Sequence, residues 1–195
     1  MARFDRSWTL FLDRDGVLNT EKVGGYILSW EEFRFEPGAL EAVAWLSRIF
    51  GRLIVVTNQR CIGKGLLTPA ALEAIHQQMH AAIIAAGGRL DAIYYCPDLD
   101  DESLCRKPNP GMALAAKRDF PEIDFCRSVM VGNTDSDMAF GRNLGMYRVW
   151  IASVTPAPRT EKADEIWPSL HAWALHLWET HRRPQSPIPP SHRLK

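Results

Sequence analysis

No stretch of this 195-residue sequence is apolar for long enough to cross a membrane as a helix. Neither sign of charge prevails. Lys and Arg total 23 and Asp and Glu total 23, for a formal net charge of zero, which argues against a general binder of nucleic acid or of an anionic membrane. The first residues, Met-Ala-Arg-Phe-Asp-Arg-Ser, lack the apolar core of a secretory leader, so a cytoplasmic location is the expectation. Cysteine is scarce. Cys61, Cys96, Cys105 and Cys126 are widely scattered, a pattern that in a reducing compartment predicts thiols or a partial metal site rather than a disulfide framework. No internal repeat is visible. What remains is a composition of 46% hydrophobic and 24% charged residues, typical of a globular protein long enough to bury one substantial core.

The stretch Thr9 to Asn19, Thr-Leu-Phe-Leu-Asp-Arg-Asp-Gly-Val-Leu-Asn, organises the rest. The apolar run Leu10 to Leu12 stops at Asp13, and a second carboxylate, Asp15, follows two residues later. A short apolar run ending in charges predicts a buried parallel strand that delivers two acids at its carboxyl end, where open α/β sheets place their ligands. Gly16 then permits a turn that a side chain would hinder.

Downstream, strands and helices alternate. Residues 21–37 form a loop carrying Trp30, Phe33 and Phe35, with room for one helical turn. A helix opened by Pro37-Gly38 carries Leu40, Val43, Ala44 and Leu46 at helical spacing and closes at Gly51. Leu53 to Val56 is a second strand, ending in Thr57-Asn58-Gln59. Thr68-Pro69 is a helix start, hydroxyl cap then proline, and that helix runs to Gly87-Gly88. Asp91 to Tyr95 is a third strand, followed by an acidic loop to Cys105, then Arg106-Lys107-Pro108. Asn109-Pro110 again has the form of a cap and first turn, here of a short helix to about Lys117. Ser128 to Val131 is a fourth strand, Asp135 to Leu144 a helix, Tyr147 to Ile151 a fifth strand and Ala163 to Ile166 a short sixth. A last helix bears Leu170, Trp173, Leu177 and Trp178. Residues 183–195 are proline-rich and basic without apolar periodicity, and are expected to be a disordered tail. A single domain is expected to span residues 1–182.

This alternation predicts an α/β, Rossmann-like three-layer sandwich with a central parallel sheet. Its strand-end loops meet on one rim, which carries Asp13 and Asp15, Thr57 and Asn58, Arg106 and Lys107, and Asn133 and Asp137. Such a rim suits a phosphorylated substrate. A carboxylate can attack phosphorus and split one hydrolysis into two steps. A divalent cation on oxygen ligands, best magnesium, offsets the repulsion between carboxylate and phosphate. A lysine supplies compact positive charge, and a second carboxylate handles the proton.

Asp13-Arg14-Asp15-Gly16, Thr57-Asn58, Lys107 and Gly132-Asn133…Asp137 occur in the order of the four motifs of haloacid-dehalogenase-like (HAD) phosphatases. Leu12 to Asn19, Val56 to Gln59, Cys105-Arg-Lys-Pro-Asn-Pro-Gly-Met112 and Met130-Val-Gly resemble more narrowly the histidinol-phosphate and heptose-bisphosphate phosphatase branch. The resemblance runs from about Trp8 to the last helix. It implies a minimal cap or none, Asp13 as nucleophile and Asp15 as general acid/base. It further implies Lys107 as the neutraliser of phosphate charge, with Thr57 and Asn58 holding phosphate or substrate and Arg106 contacting the sugar or its second phosphate. Magnesium would take the Asp13 carboxylate, the Asp15 carbonyl and the Asn133 side chain. The implied substrate is a small phosphosugar, foremost D-glycero-D-manno-heptose 1,7-bisphosphate, with histidinol phosphate as the enzymatic rival. The neutral charge disfavours a nucleic-acid 3′-phosphatase, no membrane partner is expected, and a monomer is the default.

The sequence departs from the pattern twice. Many relatives hold a structural zinc through Cys-x-His and Cys-x-Cys. Here Cys96 and Cys105 remain, with Asp98 and Ser103 at the other places, so a zinc-free loop is expected. Position 133 is Asn where Asp is usual, which removes one charge from the metal site and leaves Asp137 or Asp135 to compensate through water. That departure also keeps open a phosphosugar binder without turnover, although a pure binder has little use for both Asp13 and Asp15.

Overall fold

Every residue of the strand that ends at Asp13 is buried, because its sheet is covered on both faces. The computed structural model describes residues 4–152 and 161–182, so the expected tail lies outside the described residues. Among the described residues there are six parallel strands: β1 (Thr9–Leu12), β2 (Arg52–Asn58), β3 (Ala92–Cys96), β4 (Ser128–Gly132), β5 (Tyr147–Ile151) and β6 (Glu165–Trp167). They lie in the order β3-β2-β1-β4-β5-β6. The helices are α1 (Ala39–Ile49), α2 (Arg60–Gly63), α3 (Pro69–Ala85), α4 (Gly111–Asp119), α5 (Asp135–Leu144) and α6 (Leu170–Arg182). A single 3-10 turn, Trp30–Glu32, interrupts the loop between β1 and α1. No cap domain is inserted among the described residues.

Side chains alternate along each strand, and that assigns the two cores. Leu10 and Leu12 join Leu53, Val55, Val129 and Val131 on one face, under Val43 and Leu46 of α1, Ile75 and Met79 of α3 and Trp173 of α6. Phe11 joins Ile54, Val56 and Met130 on the other, under Met112 and Ala116 of α4 and Phe140 of α5. The buried side chains contribute about 1.5–3 kcal/mol each. The three-layer arrangement expected from the alternation is therefore present.

The direction in which strands are added to the sheet reverses at β1. The chain moves outward through β2 and β3 on one side, then returns to β4 and builds β5 and β6 on the other. Leu12 pairs with Val55 and with Val131, so the loops leaving β1, β2 and β4 open together at the switch point where ligands of open α/β sheets bind.

Local chemistry explains most boundaries. Thr68 Oγ1 accepts from Ala71 N at 3.1 Å and caps α3. Gly145, at φ 72°, closes α5. Asn109 is not a cap: Pro110 holds the position before α4 with no side-chain cap. The Asn109 amide instead donates to the carbonyls of Asp101 (3.1 Å) and Ser103 (3.0 Å), tying down the acidic loop. β2 runs on through Thr57 and Asn58, placing both in the sheet rather than in the following loop. The four-residue α2 is too short to leave a readable period. No helix among the described residues is long and apolar enough to cross a membrane.

Candidate active site

β1 delivers Asp13 beside β4, where its N–H donates to the Val131 carbonyl at 2.9 Å. The carboxylate is almost buried, and its Oδ1 lies 2.8 Å from Lys107 Nζ. Lys107, 3% exposed, also donates to Asp137 Oδ1 at 2.6 Å. The second oxygen of Asp137 accepts from Asn133 N (3.2 Å), Thr134 N (3.0 Å) and Thr134 Oγ1 (2.7 Å). Thr134 Oγ1 in turn accepts from Asp137 N at 3.3 Å, which closes a capping box on α5. Asp137 is therefore a structural anion that caps a helix and orients the lysine. Burial pushes the Asp13 carboxyl up to about 7, with Asp137 and Asp15 adding to the rise and Lys107 opposing it. Burial alone would lower Lys107, but Asp13 and Asp137 outweigh it and hold the ammonium above its ordinary value.

Asp15 lies in a different environment. Arg14, 1% exposed, folds back with Nη2 at 2.9 and 3.0 Å from the two carboxylate oxygens of Asp15. Asn19 Nδ2 donates to Asp15 Oδ1 and Gln59 Nε2 to Oδ2, each at 2.9 Å. Burial opposes ionisation, but Arg14, Asn19 and Gln59 together hold the Asp15 carboxyl below its ordinary value. Two acids two residues apart thus have opposite tendencies, an arrangement suited to dividing roles between them. Gln59 also donates to Thr57 Oγ1 at 2.9 Å and so links the ends of β1 and β2.

Arg14 Nη1 lies 3.2 Å from His76 Nε2. A guanidinium only donates, so Nε2 accepts and the neutral ring carries its proton on Nδ1. Burial, aided by Arg14, pushes His76 down to about 4. Its unfolded value is near 6.5, so the unfolded chain binds more protons between pH 6.5 and 4. Stability from this group is complete above 6.5 and lost as pH falls toward 4. His76→Gln is therefore expected to cost stability at pH 7 and to recover about 2 kcal/mol relative to the parent by pH 5. Urea midpoints at both pH values, in chelator, check this; a difference independent of pH would refute it.

The rim residues line a cavity of about 240 Å³. Asp13, Asp15, Thr57, Arg106, Lys107 and Asn133 all reach it, as the sequence led us to expect. Asn58 lines it as well, but both ends of its amide are engaged: Oδ1 accepts from Lys107 N (3.0 Å) and Nδ2 donates to Lys107 O (3.2 Å). It thus holds the lysine backbone from a position on the cavity wall. Arg106 Nε donates to Asp101 Oδ1 at 2.9 Å, while its Nη1 is buried with no hydrogen-bond partner among the described residues. Arg14, Asn19 and Gln59 sit inside recognisable motifs but carried no sequence signal of their roles. His76, in the middle of α3, had none.

The cysteines differ from expectation. Cys96 and Cys105 are joined in a disulfide, Cα atoms 5.4 Å apart, where thiols or a partial metal site were expected. The end of β3 and the residue before Arg106 converge, which brings two thiols together across a loop whose acids gave no hint of it. Asp98 lies in the same cluster. Cys61 and Cys126 are free thiols, as expected.

A buried carboxylate paired with a buried ammonium at the switch point of a parallel sheet suits the hydrolysis of phosphoryl groups. Comparison with known proteins agrees. The HAD-hydrolase-like family model matches residues 104–175. The D-glycero-alpha-D-manno-heptose-1,7-bisphosphate 7-phosphatase of Mycobacterium bovis is 35% identical over 78% of this chain and 80% of its own length. The D-glycero-beta-D-manno-heptose-1,7-bisphosphate 7-phosphatase of Vibrio cholerae is 38% identical over 80% of this chain and 87% of its own. Among solved structures, the D,D-heptose 1,7-bisphosphate phosphatase of B. bronchiseptica, complexed with magnesium and phosphate, superposes with a TM-score of 0.77. That enzyme is 30% identical, and the match covers 89% of this chain and 99% of it. The chain belongs to the heptose-bisphosphate phosphatase branch of the HAD-like phosphatases.

Proposed function

We propose that this phosphatase, a single catalytic domain to residue 182, removes the 7-phosphate of D-glycero-D-manno-heptose 1,7-bisphosphate in the cytoplasm, as a monomer. The observation that carries the reading is the Asp13 carboxylate at the cavity, 2.8 Å from a buried ammonium. The relatives' activity supports the substrate, and the balanced charge favours it over nucleic acid.

In the first step an Asp13 oxygen attacks phosphorus while the bond to the sugar oxygen breaks, and Asp15 supplies the proton that oxygen takes up. Water then attacks the aspartyl phosphate, its bond to Asp13 breaks, and Asp15 recovers the proton. Arg14, Asn19 and Gln59 hold Asp15 ionised at rest, so it takes a proton from solvent before the first step, gives that proton to the sugar oxygen and, ionised again, accepts one from the attacking water. Lys107 and Thr57 face the phosphoryl oxygens. Magnesium fits the donors: the Asp13 carboxylate, the Asp15 carbonyl and the Asn133 amide oxygen are all hard oxygen ligands. Gly16 lets the Asn133 side chain approach closely, since a Cβ there would come within 2.1 Å of Asn133 Nδ2. When bound, the cation would offset repulsion between Asp13 and the phosphate. The loop bearing Cys96, Asp98 and Cys105 supplies fewer ligands than a closed zinc site takes, so this reading calls for no zinc.

Phosphate release with magnesium, comparing both anomers of the heptose bisphosphate with histidinol phosphate, tests the assignment. Preference for a heptose bisphosphate is expected, and preference for histidinol phosphate would overturn it. The unpartnered Arg106 Nη1 suits the second phosphate. Arg106→Ala should raise KM for the bisphosphate roughly 10- to 100-fold, as expected for a lost hydrogen bond to a charged group, while barely changing a monophosphate. Equal losses on both would place Arg106 elsewhere in the mechanism.

A further inference from the structure

Asn133 brings oxygen but no charge to the cation position, and the acids around the cavity are unequally available. Asp137 uses one oxygen on Lys107 and the other on Asn133 N, Thr134 N and Thr134 Oγ1. Asp15 is held by Arg14, Asn19 and Gln59. Asp13 shares its charge with Lys107. Asp135, offered by the sequence as a compensating acid, instead accepts from Glu161 N at 3.0 Å at the start of α5. The remaining acid on the cavity wall is Glu21, in the loop after β1. Its side chain is exposed, and its Oε2 accepts from Asn133 Nδ2 at 3.2 Å.

We propose that Glu21 is a positioning residue for the magnesium site: it accepts from the Asn133 amide nitrogen, so that Oδ1 is the atom offered to the cation, and it returns the negative charge the amide lacks. An asparagine flipped the other way would present N–H groups to a cation. The carboxylate prevents this, because Oδ1 cannot donate to it. Outer carboxylates that orient a ligand and raise local negative charge strengthen metal binding by similar means. The inference rests on the magnesium-dependent reading above.

The test is a calorimetric magnesium titration of the full chain, without substrate, for the parent, Glu21→Gln, Asn133→Asp and the double variant. Glu21 is exposed, so metal-free melting temperatures should stay unchanged in Glu21→Gln. That variant should bind magnesium roughly 10-fold more weakly, in line with other outer-shell losses. In the Asn133→Asp background the same substitution should tighten binding, because two carboxylates then face each other. This change of sign is what a merely structural role for Glu21 would not produce. Unchanged affinity in Glu21→Gln, or an equal loss in both backgrounds, would overturn the proposal. A parent that binds no magnesium would overturn it together with the metal reading. A parent that binds magnesium and shows the sign change, yet hydrolyses no phosphate ester, would support Glu21 and sink the phosphatase step alone.

Discussion

Asp13→Asn is expected to abolish phosphate release, by roughly 10⁴-fold or more, as loss of a covalent nucleophile does elsewhere. The same variant should be more stable than the parent at high pH in chelator. The Asp13 carboxyl is held near 7 in the folded protein, against an ordinary value of 3.8. Between those values the folded chain binds more protons than the unfolded one, so stability associated with this group is complete below about 4 and is lost as pH rises through 7. An amide imitates the neutral acid and escapes that loss. The expected gain at pH 8 is on the order of 3 kcal/mol, shrinking toward zero near pH 4. Urea unfolding at both pH values, beside a phosphate-release assay, checks both halves. Residual turnover within tenfold of the parent would remove Asp13 from the nucleophile's role, and a less stable variant at pH 8 would contradict the electrostatic argument. Together they would make Asp13 a place where function is retained at the expense of stability.

Lys107→Met should have the largest effect on the fold. It removes the cation between two buried carboxylates, Asp13 at 2.8 Å and Asp137 at 2.6 Å. Breaking a buried pair from one side leaves uncompensated charge and costs about 3–5 kcal/mol. Here two anions are left, and the second belongs to the capping box that starts α5. The penalty should be greatest at pH 7.5 and smaller at pH 5, where the Asp13 carboxyl takes up a proton. Phosphate release should fall roughly 10²–10³-fold with the loss of a preorganised charge at the reacting phosphoryl group. Denaturant midpoints at the two pH values decide this. A cost below 1 kcal/mol at both would mean that the pair contributes little net stability.

The disulfide bears on none of these variants, but it shows where local pattern ceases to inform. Cys96 and Cys105 are nine residues apart, in a segment with no period of its own. Their convergence follows from β3 ending level with Asn58 of β2 while Asn58 grips the backbone of Lys107. Neither relation is local. Asn58 illustrates the same limit. Its motif neighbours suggested a ligand-facing amide; that amide lines the cavity and, through the turn of the Lys107 loop, also pairs with both the N–H and the carbonyl of Lys107.

The sequence by itself determined the parallel α/β sandwich, the strand ends on which chemistry gathers and the four motifs in order. Each of these rests on short-range physics: apolar runs that stop at a charge, a hydroxyl or glycine at a helix end, and a period that distinguishes strand from helix. It could also place Asp13, Asp15, Thr57, Lys107 and Asn133 on one rim, because a parallel sheet puts all its strand ends on the same side. Only the tertiary structure decided which groups pair. Lys107 lies between Asp13 and Asp137, Arg14 meets His76 from 62 residues away, and Glu21 meets Asn133 from 112 residues away. Strand order and loop paths set those distances. The charge state of each acid depends on such neighbours and on burial, neither of which spacing along a chain records.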